Sequence, residues 1–148
     1  MNQELEAALA KEFPFMRWEG QNSDSVYQKF GIQAGPGWYE LIRSLCRELA
    51  DLCAQAGREN DLVVRQVKEK FGKLRFYFYL ENGTKEENTA LYHKIYDVLD
   101  KYEELSTQVC DLCGAPGELR QLKLRSGMVR LQTLCGEHYA LLQKKLNP

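Results

Sequence analysis

Four residues in the last third of the chain are spaced for metal chemistry. Cys110 and Cys113 form a C-x2-C pair within CDLCG, and Cys135 and His138 form a C-x2-H pair within CGEHY. Each pair offers two soft or borderline donors from a single turn of backbone, and two such pairs make the tetrahedral set that Zn2+ prefers. Gly114, directly after Cys113, suits the tight turn of a knuckle. With all four positions filled by protein the metal is expected to be structural, because a catalytic zinc keeps one position open for water. Cys110, Cys113, Cys135 and His138 are therefore the predicted ligands, and structural Zn2+ the predicted cofactor.

Little else in the chain is arranged for a reaction. His93, the other histidine, falls beside the apolar stripe of a predicted helix and reads as structural or solvated. The pairs Glu86-Glu87 and Glu103-Glu104 read as solvated helix charges or a cap. No nucleophile elbow, phosphate-binding glycine loop or H-E-x-x-H motif occurs. No catalytic residue is assigned, and a non-enzymatic protein is expected. Five cysteines are an odd number for a closed disulfide framework, and clustered thiols fit a reducing cytosol and metal better. Cys46 and Cys53 lie seven apart on one helical stripe and read as small buried hydrophobes.

The elements that must carry the ligands follow from periodicity. Leu5, Leu9 and Phe13 mark a short amphipathic helix over residues 2–13, stopped by Pro14, and residues 19–25 read as a polar loop. Val26 to Ile32 reads as a strand ended by the run GPG at 35–37. From Trp38 the stripe Leu41, Ile42, Leu45, Cys46, Leu49, Leu52 and Cys53 predicts a second helix closed by Gly57. Residues 62–80 read as a hairpin with Gly72 at its turn, with Leu74, Phe76, Phe78 and Leu80 on one face and Arg75, Tyr77 and Tyr79 on the other. Thr84 and Glu87 form a capping box for a helix that runs to about Thr107. Beyond it, Leu119–Leu124 and Val129–Leu134 flank Ser126-Gly127 as a second hairpin, and EHYALLQKKL has helical spacing. The predicted fold is α+β: a small antiparallel sheet covered by amphipathic helices over residues 1–109, with a zinc-finger subdomain over residues 110–148 packed on it.

Knuckle, hairpin, then a helix whose first turn holds the second ligand pair resembles the treble-clef class of zinc fingers. That resemblance covers residues 110–146. A wider one is carried by GWYELI (37–42), VKEKFGKLRFY (67–77) and CDLCGAPG…TLCGEH (110–138). In that order they resemble a group of small bacterial and bacteriophage proteins with a GW-led helix, a VKEKFG-x-LRFY hairpin and a C-terminal C-x2-CG…LC-x2-H finger. The resemblance implies a fold and a zinc site but no activity. Relatives often place a cysteine or an acid just before the GW, where this chain has Ala34 and Pro36.

Charge is uneven along the chain although the net charge is only −1. Residues 62–80 hold five basic and one acidic side chain, and residues 110–148 hold six and three; the segments 1–61 and 81–109 are acidic. Two readings of function follow. In the first, the protein binds another protein, as an inhibitor such as a toxin-neutralising immunity protein whose acidic helices cover a basic active site. In the alternative, it binds nucleic acid through the 62–80 hairpin and the finger's Arg120, Lys123, Arg125 and Arg130, since cations interleave there with Phe71, Phe76, Tyr77 and Tyr79. No apolar run nears the ~20 residues of a membrane span. The first residues also lack the basic and apolar regions of a signal peptide, so a cytoplasmic protein without a membrane partner is expected.

Overall fold

The structure, a computed structural model, describes residues 1–18 and 25–148. It is α+β. A three-stranded sheet of order β1-β2-β3 uses Ile32–Gln33, Leu62–Lys70 and Lys73–Leu80, and a separate hairpin joins β4 (Glu118–Lys123) to β5 (Val129–Leu134). The helices are α1 (Gln3–Glu12), α2 (Val26–Phe30), α3 (Tyr39–Gln55), α4 (Lys85–Ser106) and α5 (Gly136–Leu146). Among the described residues no helix is long and apolar enough to cross a membrane.

The periodic segments form as their patterns dictate. Asn2 caps α1 by accepting the Leu5 N–H, and Leu9 and Phe13 are buried. On α3, Ile42, Leu45, Cys46, Leu49 and Cys53 face the core. Burial pushes the Cys46 thiol well above its ordinary value, which makes it inert, as a core hydrophobe should be. The Thr84/Glu87 capping box starts α4, with both reciprocal hydrogen bonds made. Leu74, Phe76, Phe78 and Leu80 are buried on one face of β3, while Tyr77 and Tyr79 are exposed on the other. At the far end of this hairpin Arg58 ties α3, β3 and α4 together. It pairs with Asp61 and donates to the carbonyls of Glu81 and Asn82 and to the Asn88 side chain.

One segment departs from expectation. Residues 26–32 were expected as a strand, from their content of Val, Tyr, Phe and Ile. Instead Val26–Phe30 is a turn of helix, and only Ile32–Gln33 pairs, in parallel with Val67–Lys68. A strand would put Lys29 on the same face as Tyr27. The helical turn lets Tyr27 be buried alone, with its hydroxyl donating to the Met16 carbonyl at 2.6 Å, before Gly31 (φ +63°) redirects the chain. The sheet is thus antiparallel apart from this two-residue edge. Of the expected polar loop 19–25, all but Ser25 lies outside the described residues. Ser25 donates to the Arg65 carbonyl at 3.1 Å, where a bulge shifts the register of β2.

The edge of β3 is partly closed by α4. The Leu74 N–H donates to the Ser106 hydroxyl (3.0 Å) and the Leu80 N–H to the Tyr92 hydroxyl (2.9 Å), so the helix runs antiparallel along that edge.

The GPG run does more than end a strand. The Gly37 N–H donates to the Asp111 carbonyl (2.8 Å) and the Gly35 N–H to the Asp111 carboxylate (2.6 Å). Here two backbones touch. A Cβ on Gly37 would stand 2.1 Å from the Cys110 carbonyl oxygen and 2.5 Å from the Gly114 nitrogen, and one on Gly35 would stand 2.2 Å from the Asp111 carbonyl oxygen. Trp38 follows, fully buried, with its indole N–H on the Val109 carbonyl at 2.8 Å. Gly37→Ala is expected to destabilise the protein by about 1–3 kcal/mol or more, because backbone rather than a flexible side chain must give way. Gly136→Ala, where a Cβ meets nothing within 4 Å, should stay within about 0.5 kcal/mol. Chemical denaturation of the two variants checks the contrast.

Candidate metal centre

The knuckle is built by local hydrogen bonds. The Gly114 N–H donates to the Cys110 carbonyl (2.9 Å) and the Cys110 N–H to the Ala115 carbonyl (2.8 Å), with Gly114 at φ +79°. This turn points Cys110 and Cys113 to one side. The second pair comes from the start of α5, where Cys135 is the N-cap and its sulfur accepts the His138 N–H at 3.5 Å. Leu122 and Leu134 of the hairpin are fully buried and hold knuckle and helix together, with Leu112, Tyr139, Leu142 and Leu146 packed around them.

All four sequence-predicted ligands come together: one donor atom from each of Cys110, Cys113, Cys135 and His138 lies within 4.8 Å of the others. The closest edges are 3.3 Å from Cys135 Sγ to His138 Nδ1, 3.6 Å from Cys110 Sγ to His138 Nδ1, and 3.9 Å between the sulfurs of Cys113 and Cys135. Donors about 2.0–2.3 Å from a central ion at tetrahedral angles stand roughly 3.5–3.8 Å apart, so the edges fit such an ion. The sulfurs are far too distant for a disulfide, whose bond is about 2.05 Å. The cluster could hold a metal ion.

Electrostatics point the same way. Burial pushes the Cys110 thiol up, but N–H donors from Cys135, Cys113 and Leu112 outweigh it and bring the thiol down to about 7. At Cys113 the Ala115 N–H pulls the thiol down, while desolvation and the neighbouring thiols of Cys110 and Cys135 push it up by more. Three crowded thiols cannot all ionise without a counter-charge, and a cation among them supplies it.

Around the ligands lies a set of ties that motif reading did not single out. Asp111 is buried; its carboxylate accepts from the Gly35 N–H and from Gln132 Nε2 (2.9 Å), and its own N–H donates to the Thr133 carbonyl (3.0 Å). The Thr133 hydroxyl donates to the Gly72 carbonyl at 2.7 Å, pinning the β2–β3 turn to β5. The one signal for Asp111 was its place inside the knuckle. His93 is exposed on α4 and far in sequence from any cluster, and Cys46 and Cys53 are buried in the core.

Searches against protein-family models, curated proteins and solved structures found no match to this chain. The resemblance of the three sequence motifs therefore stands on those motifs alone.

Protein purified without chelator is expected to carry one metal ion per chain by elemental analysis, and Cys113→Ser to lose it. Chelation should abolish amide-exchange protection across residues 110–148. Full protection in metal-free protein would show that the cluster folds without an ion.

Proposed function

We propose that this protein is a non-enzymatic nucleic-acid-binding module stapled by one structural Zn2+. Zinc is the ion that a closed Cys3His set with edges of this length suits best, and four protein donors leave no position for a reacting water. The order of knuckle, hairpin and helix supports a treble-clef-like finger. Such a site contributes apparent binding energy of ~10–16 kcal/mol, ample to fold this small segment.

The observation that carries the nucleic-acid reading is the outer face of the three-stranded sheet. Lys68 and Lys70 from β2 and Lys73 from β3 crowd one end of it, and Arg65 lies over the ring of Tyr79, 5.5 Å from its centroid, at the other. Among the described residues none of these four cations is ion-paired; on this face only Arg75 is, with Glu103. Tyr77 and Tyr79 are exposed between them. A surface of cations outside the described ion pairs, with exposed rings among them, complements a polyanion with aromatic faces. In the finger, Lys123, Arg125 and Arg130 are exposed too, whereas Arg120 is taken up by Tyr139, 5.1 Å from its ring centroid, and by Glu118. With a near-neutral net charge overall, attraction would be local to this face.

Affinity for short oligonucleotides is expected to fall steeply with salt. Each of Lys68→Glu, Lys70→Glu and Lys73→Glu should weaken binding and lower the slope of log K against log salt by about 0.7–0.9. A flat titration against DNA and RNA at low salt would dispose of the reading.

The inhibitor reading has one observation of its own. Several acids on the helices are used internally, Glu12 with Arg43 and Arg47 and Glu48 with Lys101. Among the described residues, Asp97, Asp100 and Glu104 make no ion pair and are exposed along α4. If a basic protein such as a co-encoded toxin is the partner, reversing these three charges should abolish the complex in a pull-down and leave oligonucleotide binding intact.

A further inference from the structure

Phe71 sits where folding gains nothing from it. The last rung of the β2–β3 ladder is Lys70 with Lys73, so Phe71 and Gly72 form a two-residue turn. Both have positive φ, +54° and +81°, as the twist-matched hairpin turn requires. Glycine takes this conformation freely, and Asn or Asp tolerate it at the first position; a bulky aromatic there is strained. The strain is not balanced by packing, because the Phe71 side of the turn is 64% exposed and belongs to neither apolar cluster.

The turn cannot relax either. The Gly72 N–H donates to Glu69 Oε1 (2.6 Å), and the Gly72 carbonyl is held by the Thr133 hydroxyl. Gly72 also lies against Leu119 and Gln132 of the finger, where a Cβ would stand 2.2 Å from the Leu119 side chain. The ring is thus held out at the tip, with the Lys70 ammonium 5.6 Å from its centroid and Lys73 across the ladder. Strain that the surroundings enforce, on an exposed group, is a mark of function rather than of folding.

We infer that Phe71 is a base-stacking residue and that the partner is single-stranded nucleic acid. The inference rests on the nucleic-acid reading above and sharpens it. Phe71, Tyr77 and Tyr79 follow one another from the tip along β3, with Lys70 beside the Phe71 ring, Arg65 over the Tyr79 ring and Gln66 opposite Tyr77. Rings spaced along a basic strand fit successive unstacked bases, whose faces they can cover while lysines meet the phosphates. A duplex keeps its base faces inside and would leave the rings idle.

The test uses full-length, metal-loaded protein with fluorescently labelled oligo-dT, oligo-dA and a duplex of equal length. Phe71→Asn restores the favoured Asn-Gly turn, so it should raise the melting temperature while weakening single-strand affinity about 10-fold or more. Phe71→Trp should keep the affinity, and its fluorescence should be quenched on binding. The opposite signs of stability and affinity exclude misfolding as the cause of weaker binding. Unchanged affinity in Phe71→Asn, with Lys70→Glu still weakening it, would overturn the role of Phe71 and leave the nucleic-acid reading standing. Tighter binding to the duplex than to either strand would overturn the single-strand assignment. Absence of binding by the unaltered protein to any of the three would remove the underlying reading, and the inference with it.

Discussion

The backbone of the Gly35–Gly37 run lies directly on the backbone of the knuckle that carries Cys110 and Cys113, and the relative placement of everything else depends on that contact. No side chain intervenes, because neither glycine has room for a Cβ. The carbonyl of Cys110 and the amide of Gly114 close the knuckle, and they are the same atoms that approach Gly37. One residue later Trp38 enters the large apolar cluster and opens the way into α3. The shape of this short Cys110–Gly114 turn is in this way the surface on which a long helix begins. Close-packed interiors pass such constraints on with little slack.

What the sequence made legible was local. The candidate ligands are two pairs of residues three apart, the capping box spans three residues, and β3 alternates without interruption, so short-range geometry decides each of them. What stayed hidden was decided across the fold. Val26–Phe30 reads as a strand by composition, yet one buried tyrosine reaching the Met16 carbonyl made it a helical turn. GPG reads as a chain break, and its close approach to Asp111 and Cys110, more than seventy residues away, has no local signature. Gly72 marks a turn in the sequence, but only the folded hairpin shows Phe71 itself at positive φ.

Charge is partitioned as sharply as the core. Acids of α1 and α3 pair with arginines and lysines of the helical layer, and the salt bridge between Arg75 and Glu103 is the one described link between the helices and the basic sheet face. A nearly neutral chain therefore presents two unlike surfaces. Paired side chains at the helical layer are screened and largely spent, whereas lysines in a row on a sheet keep their field for whatever approaches.

The two side chains that close the β3 edge bear on how such a protein behaves when crowded. A three-stranded sheet offers outer-strand amides on which a second chain can pair, and repeated pairing of that kind is how sheets aggregate. Ser106 and Tyr92 occupy the amides of Leu74 and Leu80, so the outward stretch between them is limited to Phe76 and Phe78. That is too short a ladder to hold an added strand in register. Two hydroxyls of one helix, Tyr92 within it and Ser106 at its end, thus shorten the β3 edge on which a copy of the chain could add a strand.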